Sequence, residues 1–231
     1  MNPNIRSYFA ELIGTFTLVF IGTAVATLQG TLSGYGNTGW LGISCAFGFT
    51  LMVLVWVIGP VSGCHINPAV TIAMALGGRM KPAQVPGYII SQCLGAIGAS
   101  AVLLLLLKGL PPTIYQLEQN GLGANGNPQG MLTPALFGWE VIMTALFLFT
   151  ILSVTRKDVP AGVTGLAIGG FLFVAHLVGA QLGDSSLNPA RSLGPALFVG
   201  GDALRLLWVF MVAPIIGGII GLLMFRVAYE K

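Results

Sequence analysis

The apolar residues of this chain fall into six long runs separated by shorter, more polar segments. Each run is close to the length of about 20 residues with which an α-helix crosses a hydrocarbon core of about 30 Å. The pattern therefore predicts six membrane-spanning helices, at about Tyr8 to Leu28, Trp40 to Ile58, Ala83 to Leu107, Pro134 to Val154, Gly162 to Gln181 and Leu204 to Tyr229.

Two shorter apolar stretches follow two copies of the tripeptide Asn-Pro-Ala, and each stretch ends at a pair of glycines. Asparagine is a preferred N-cap and proline fits the first helical turn, so each tripeptide predicts a helix start. A helix of about eight residues is roughly 12 Å long, so two such helices meeting end to end would nearly span the membrane. We therefore predict two re-entrant half-helices, which begin at Asn67, Pro68 and Ala69 and at Asn188, Pro189 and Ala190.

The composition indicates that the chain folds in a membrane rather than in water. Hydrophobic residues make up 55% of it and charged residues only 7%, whereas an ordinary soluble protein has about a quarter of its residues charged. The sequence therefore predicts an all-α integral protein of the lipid bilayer. Its 33 glycines include Gly165 with Gly169 and Gly217 with Gly221, a four-residue spacing that favours close helix packing in lipid. The net charge of +3 is spread along the chain and indicates no nucleic-acid partner.

Basic residues orient the six spans. Lys108 and Arg205 flank spans on one side, whereas seven other basic residues lie at the amino terminus, in the second and fourth loops and at the carboxy terminus. By the positive-inside rule these four places, and hence both termini, face the cytoplasm. The seven residues are Arg6, Arg79, Lys81, Arg156, Lys157, Arg226 and Lys231.

An internal repeat divides the chain. Glu11 near the start of the first span has a counterpart in Glu140 of the fourth, and each half holds three crossings. Because three is odd, the second half is upside down relative to the first, and the half-helices meet near the midplane, where such repeats place a permeation or binding site. We interpret residues 1–231 as a single transmembrane domain, with a first repeat at about 1–108, a linking loop at about 109–133 and a second repeat at about 134–231. The Asn/Gly-rich stretch from Asn120 to Pro128 is typical of a mobile extracellular link.

These residues resemble the aquaporins, the family of major intrinsic protein channels, over nearly the whole chain. The resemblance rests on both Asn-Pro-Ala boxes in their Gly-rich loops, the six spans and the paired glutamates, and it is greatest for the bacterial water-selective branch. It implies a passive channel for single-file water that excludes protons and ions, assembled as a homotetramer in a bacterial plasma membrane, without cofactor or metal. A facilitator of glycerol or other small neutral solutes, from the same family, is the alternative.

The two asparagines give this resemblance a physical mechanism. We expect the side-chain oxygens of Asn67 and Asn188 to cap their own helices, and the amide groups to donate hydrogen bonds to a passing water. Each helix N-terminus carries about half a positive charge, so two facing ends amount to roughly one. A water held there points its oxygen at the midplane and its hydrogens away, which interrupts a proton wire, as in the general account of aquaporin-type pores.

Four residues are expected to form the selectivity filter. Arg191 follows the second Asn-Pro-Ala box inside the membrane region, where an ionisable side chain is costly and functional by default. The resemblance implies that Phe47, His176 and Ser185 complete the ring, since their spacings from the two asparagines match the family pattern. Taken singly, Phe47 and His176 are also typical of helix packing. Two ring side chains opposite an arginine leave a narrow polar gap, which favours water. The resemblance implies that the glycerol-conducting branch has a wider constriction, with glycine in place of the histidine.

Three further residues each have two interpretations. Glu11 and Glu140 could form a proton relay, but we expect them to accept the unpaired backbone N–H groups of the re-entrant loops, a role that the resemblance also implies. Cys64 precedes its asparagine by three residues, as Ser185 does in the second half. It is therefore either a thiol of the inner pore that small mercurials reach, or an inert packing residue.

Two other classes of protein remain open at this level. An intramembrane enzyme needs a nucleophile with a base, or metal ligands, and His65 and His176 have no acidic cluster beside them in the sequence. The three cysteines show no metal-ligand spacing. A structural or adhesive membrane protein would not need a ring that contains Arg191. The sequence therefore favours a channel over an enzyme, and hydrolysis of reporter substrates would discriminate between them.

Overall fold

The computed structural model describes residues 3–31, 39–127, 130–182 and 185–230. Pro128 and Lys231, which enter the predictions above, lie outside the described residues. Within these ranges the regular structure is helical and contains no strand. In chain order the helices are α1 (Pro3–Thr31), α2 (Gly39–Ser62), α3 (Pro68–Leu76), α4 (Val85–Leu107), α5 (Leu117–Asn120), α6 (Thr133–Val154), α7 (Ala161–Leu182), α8 (Pro189–Val199), α9 (Gly201–Arg205) and α10 (Leu207–Tyr229).

The six predicted spans are confirmed. Helices α1, α2, α4, α6, α7 and α10 are long and apolar enough to cross a membrane. The start of the last span is wrong by three residues, because the chain forms the separate short helix α9 before α10 begins at Leu207. Gly200 and Gly201 have positive φ angles of 69° and 51°, so the chain turns sharply at the end of α8.

Glycines let the spans pack backbone to backbone. A β-carbon added to Gly95 of α4 would lie 2.4 Å from the Leu12 carbonyl oxygen of α1, and one added to Gly217 of α10 would lie 2.5 Å from the Val141 oxygen of α6. These two helix pairs are equivalent in the inverted repeats. Between the repeats, α2 packs on α7, where a β-carbon on Gly169 would lie 2.5 Å from the Gly48 oxygen. Small residues at these crossings allow the close approach that stabilises helices in lipid.

The predicted half-helices are confirmed as α3 and α8. Asn67 has extended backbone angles and its side-chain oxygen accepts a hydrogen bond from the Ala69 N–H at 2.9 Å. The Asn188 oxygen accepts hydrogen bonds from the Ala190 N–H at 3.0 Å and from the Arg191 N–H at 3.3 Å. Helix α8 packs on α4 and helix α3 packs on α10, so each half-helix contacts a span of the opposite repeat.

The third loop is partly buried. The prediction of a mobile link from Asn120 to Pro128 is therefore wrong for residues 121–127. Leu122 is fully buried and Asn125 is 2% exposed. The Tyr115 hydroxyl donates a hydrogen bond to the Gly121 oxygen at 2.8 Å, which ties the beginning of this segment to the preceding turn. Within the protein the segment supplies acceptors for the guanidinium of Arg191, as described below.

Candidate functional site

The two asparagines hold the opposite loops together. The Asn67 side-chain N–H donates a hydrogen bond to the Leu187 oxygen at 2.7 Å, and the Asn188 N–H donates one to the Ile66 oxygen at 2.8 Å. An amide group has two N–H donors. One donor of each asparagine is therefore used across the midplane, which sequence reasoning missed, and the second is left for the cavity that both side chains line.

Strained backbone presents the two carbonyl groups that accept these bonds. Ile66 and Leu187, the residues before the two asparagines, have positive φ angles of 41° and 56°. This region costs a non-glycine residue on the order of 1–3 kcal/mol, and it persists only where the surroundings impose it. Both side chains are buried, at 1% and 0% exposure, in the core that surrounds the loops. No feature of the sequence at Ile66 or Leu187 signals the strain.

A carboxylate lies under each strained loop. Glu11 accepts hydrogen bonds from the His65 N–H at 2.9 Å and from the Ile66 N–H at 2.6 Å. Glu140 accepts the N–H groups of Ser186 at 2.6 Å and of Leu187 at 2.9 Å. Both carboxylates are fully buried. These contacts support the loop-supporting interpretation of the two glutamates, because buried backbone donors outside a helix need acceptors.

A second pair of contacts joins each loop to its half-helix. In the first loop the His65 Nδ1 lies 3.2 Å from the Thr71 hydroxyl oxygen. In the second loop the Ser186 and Ser192 hydroxyls form the corresponding hydrogen bond. The two residues stand at the same offsets from the asparagine in both repeats, two before it and four after it. The repeat therefore extends to contacts between side chains of different chemistry.

The two loops border one internal cavity of about 340 Å³. Residues of both repeats form its wall, from Trp56, Thr155 and Thr164 at one end to His176 and Arg191 at the other. Among the predicted site residues, the wall includes Phe47, Cys64, Asn67, His176, Asn188 and Arg191. Ser185 is 1% exposed and does not border this cavity, whereas its neighbour Ser186 does. The structure thus brings three of the four predicted filter residues to the cavity.

Phe47 contacts both other residues. The Phe47 ring stacks on the His176 ring with 4.4 Å between centroids and 16° between planes. The Arg191 guanidinium carbon lies 4.9 Å from the Phe47 ring centroid, within cation–π distance. His176 Nδ1 is 3.0 Å from the Leu172 oxygen, which can only accept, so Nδ1 is the donor. In the neutral ring Nε2 is then an acceptor, and it has no protein partner among the described residues.

The third loop supplies acceptors for Arg191. One terminal nitrogen of Arg191 donates to the Gly123 oxygen at 2.9 Å and to the Asn125 side-chain oxygen at 2.5 Å. The same Asn125 oxygen accepts the Ser192 hydroxyl at 2.8 Å. Charged hydrogen bonds of this kind stabilise a buried guanidinium, which is only 4% exposed. Sequence reasoning missed Gly123 and Asn125 because they are more than 60 positions from Arg191.

The described residues contain no group of three His, Cys, Asp or Glu side chains that could hold a metal ion. The wall of the cavity presents hydrogen-bonding groups and one positive charge, the guanidinium of Arg191. Such an arrangement can orient and filter a small polar molecule. It presents donors at the asparagines and at Arg191, an acceptor at His176, and mostly apolar side chains elsewhere.

Comparison with known proteins agrees with this arrangement. The family model described as major intrinsic protein matches residues 1–225. The chain is 45% identical over 226 residues to a protein of Rhodopseudomonas palustris named Aquaporin Z, covering 97% of this chain and 93% of the relative. It is 43% identical over 230 residues to a protein of the same name from Bradyrhizobium diazoefficiens, covering 99% and 95%.

A solved structure supports the fold. The X-ray structure of the aquaglyceroporin from Plasmodium falciparum superposes with a TM-score of 0.84, over 96% of this chain and 95% of that one, at 23% sequence identity. At this identity the likeness concerns the fold. Six spans, two capped half-helices and a match of residues 1–225 to the family model together show that the chain belongs to the major intrinsic protein family, the aquaporins.

Proposed function

We propose that this chain is a passive channel that conducts water in single file and excludes protons and ions. The observation that carries the proposal is the contact of Phe47 with both His176 and Arg191 on the wall of one cavity. A fixed cation, a ring nitrogen that can accept and an aromatic surface together form a narrow polar constriction. Pore diameter and the donors and acceptors that line it determine selectivity in such channels. The two bacterial relatives named Aquaporin Z support the same function.

Proton exclusion follows from the charges near the midplane. Half-helices α3 and α8 begin at Asn67 and Asn188, and each N-terminus carries about half a positive charge. Because each amide is fixed by a hydrogen bond to the opposite loop, the orientation of its second N–H is fixed as well, and both side chains line the cavity. A water that accepts hydrogen bonds from the amide N–H groups of both asparagines points its own hydrogens away from the midplane. Arg191 adds a second barrier to cations further along the same file.

We also propose that the constriction selects water over glycerol. The stacked rings of Phe47 and His176 occupy space beside Arg191, so a carbon backbone with three hydroxyl groups meets two aromatic side chains there. Ser185 belongs to the proposed filter by its family position, although it does not border the cavity. In this proposal the hydrogen-bonding groups at the constriction are therefore Arg191 and His176.

The remaining parts of the proposal rest on family membership and on charge. We propose one pore within a single domain per chain, a homotetramer, no cofactor and no enzymatic activity. We place the protein in a bacterial plasma membrane with both termini in the cytoplasm, as the distribution of basic residues predicts. Labelling of a cysteine added at the amino terminus tests the orientation, because an impermeant reagent reaches it only in inside-out vesicles.

Osmotic stopped-flow measurements on proteoliposomes test the function, with water and glycerol as permeants. We expect water permeability at least about tenfold above empty liposomes, and glycerol permeability near the lipid background. Phe47→Trp combined with His176→Gly should raise glycerol permeability, because it removes the histidine ring from the constriction. Phe49→Trp is the matched control, since Phe49 lies on the same helix but is 54% exposed on the outer surface.

Two results would contradict parts of this proposal separately. Glycerol flux of the wild type well above empty liposomes would overturn the selectivity and leave the channel. Water flux equal to that of empty liposomes would overturn the channel itself.

A further inference from the structure

Gly22 of α1 lies directly against one edge of the Phe47 ring. A β-carbon added to Gly22 would lie 2.3 Å from Cε1, 2.4 Å from Cζ and 2.6 Å from Cδ1 of that ring. Non-bonded carbon atoms are in optimal contact at about 3.5–4.0 Å. The ring would therefore have to move by about 1 Å to accommodate one methyl group.

The ring has little room for such a movement. Phe47 is 1% exposed and is stacked on His176, with Arg191 also in contact with its ring. Its helix cannot retreat easily, because a β-carbon on the next residue, Gly48, would already lie 2.8 Å from the Gly169 oxygen of α7. A ring displaced by a methyl group at Gly22 is thus pushed toward the cavity or its two partners.

The same turn of α1 also contacts the loop that holds Arg191. A β-carbon added to Gly123 would lie 2.9 Å from the Cα, Cβ and backbone oxygen atoms of Thr23, the residue after Gly22. The Gly123 oxygen accepts a hydrogen bond from Arg191 at 2.9 Å. Two sides of the constriction, the aromatic ring and the guanidinium, therefore rest on adjacent residues of one helix.

We propose that Gly22 is a positioning residue of the constriction. Because Gly22 has no side chain, the Phe47 ring occupies the space beside α1 and stays back from the cavity. The neighbouring residue Thr23 packs against the loop that carries the acceptors of Arg191. Gly22 does not itself line the cavity, so its role is exerted through Phe47. The effect on permeation rests on the proposed water-channel function, whereas the contact between Gly22 and Phe47 does not.

Gly22→Ala tests the proposal in proteoliposomes of equal protein content. We expect its water permeability to fall at least about fivefold, because a ring shift of about 1 Å is large in a single-file pore. Gly98→Ala is the matched control, since it makes the same change in α4, where the nearest atom outside the helix backbone, Phe16 Cδ2, is at an ordinary distance of 3.7 Å. Its permeability should stay within about twofold of the wild type.

A double-mutant cycle separates positioning from general packing. In a Phe47→Val background the ring is absent, so adding Gly22→Ala should change water permeability by less than about twofold. An equal loss in both backgrounds would show that Gly22 acts through helix packing and would overturn the proposal. Wild-type permeability in Gly22→Ala would overturn it as well.

Thermal unfolding tests the contact without a permeability measurement. The four proteins compared are the wild type, Gly22→Ala, Phe47→Val and the double variant. Gly22→Ala should destabilise the protein that keeps Phe47 and have a smaller effect on Phe47→Val. If Gly22→Ala does not fold, the double variant Gly22→Ala/Phe47→Val must recover folded protein, and failure of both contradicts the proposal. Absence of water flux in the wild type overturns the channel function alone, because this stability cycle then still decides whether Gly22 positions the ring.

Discussion

The two re-entrant loops, residues 63–67 and 185–188, lead to the same tripeptide but are held in place by different surroundings. The first loop is bound by side chains of spans from its own repeat. In addition to two backbone N–H groups, Glu11 accepts the Ser62 hydroxyl at 2.7 Å and the Gln92 side-chain N–H at 2.7 Å. Gln92 also donates to the Thr71 hydroxyl at 2.9 Å, which joins α4 to the half-helix α3.

The second loop depends on a segment outside the spans. Glu140 accepts backbone N–H groups of this loop. With Gly95 of α4 aligned to Gly217 of α10, the residue that corresponds to Gln92 in the second repeat is Pro214, which has no polar side chain. Asn125 of the third loop instead accepts the Ser192 hydroxyl and the Arg191 guanidinium. In the first half the counterpart of Arg191, three residues after the asparagine, is Val70.

This difference indicates a division of labour between the two repeats. The polar contacts of the first loop join α1, α2 and α4 to the loop and to α3, so their loss should reduce stability. The polar contacts of the second loop position a charge at the constriction, so their loss should alter permeation. The following changes break or sharpen this distinction.

Glu11→Gln should give the largest effect. It replaces one acceptor oxygen with an amide N–H that faces the donors of the first loop, so at least one buried backbone N–H loses its partner. We expect the free energy of unfolding to fall by on the order of 3 kcal/mol. Thermal unfolding in detergent measures it, with the exposed Glu118→Gln as the control. Equal stability of the two variants would contradict the anchoring role.

Arg191→Val makes half-helix α8 resemble half-helix α3, where Val70 occupies the corresponding place. We expect the proton leak to rise by about tenfold while water still flows, because the half-helix dipoles remain as a weaker barrier. A pH-sensitive dye trapped in proteoliposomes reports the collapse of an imposed pH gradient. Arg205→Val is the control, since this arginine is exposed and paired with Asp202 on α9. If both variants leak equally, Arg191 is not a specific barrier.

Asn125→Ala and Gln92→Ala should have opposite profiles. Asn125→Ala removes an acceptor of Arg191, and we expect water permeability per folded channel to change by about threefold. Gln92→Ala removes a donor to Glu11 and Thr71, and we expect a loss of about 1–3 kcal/mol in stability with permeability per folded channel near the wild type. Stopped-flow measurements give the water permeability of both variants, and thermal unfolding gives their stability. A reversed pattern would remove the distinction between the two loops.

The smallest effect concerns the thiol of the first loop. Cys64 lines the cavity, whereas its counterpart Ser185 does not. Only small reagents that enter the pore should therefore reach the Cys64 thiol. We expect a small mercurial to lower water permeability by about twofold in the wild type and not in Cys64→Ser. An impermeant thiol reagent added outside should have no effect. Cys93→Ser, in α4, should remain as sensitive as the wild type, and inhibition of Cys64→Ser would favour the inert packing interpretation.

Much of the fold could be predicted because it depends on local signals. Six apolar runs in a membrane have few alternatives to helices, since unpaired backbone groups are too costly in lipid. The half-helices could be predicted from Asn67 and Asn188, since N-capping acts within three residues. Helix α10 starts three residues after the predicted position, because the chain forms the separate helix α9 and turns at Leu206 before α10 begins.

The site could be predicted only in part. Phe47, His176 and Arg191 were found by their matching positions, and the structure brings them into contact. The same offsets predict Ser185, yet Ser186 is the serine that borders the cavity. Offsets along the chain specify neither the direction of a side chain nor the path of a loop, so the filter role of Ser185 stays a prediction.

By itself the sequence determined the membrane environment, the six spans, the capped half-helices and the inverted repeat, because hydropathy and capping act over a few residues or over whole segments. Only the tertiary structure decided how these parts join at the pore. It paired each asparagine with the carbonyl of the opposite loop, more than 100 positions away. It brought Asn125 to Arg191 and placed Gly22 against Phe47. These contacts depend on how the spans pack, and a single side chain among many similar ones carries no local signal of its distant partner.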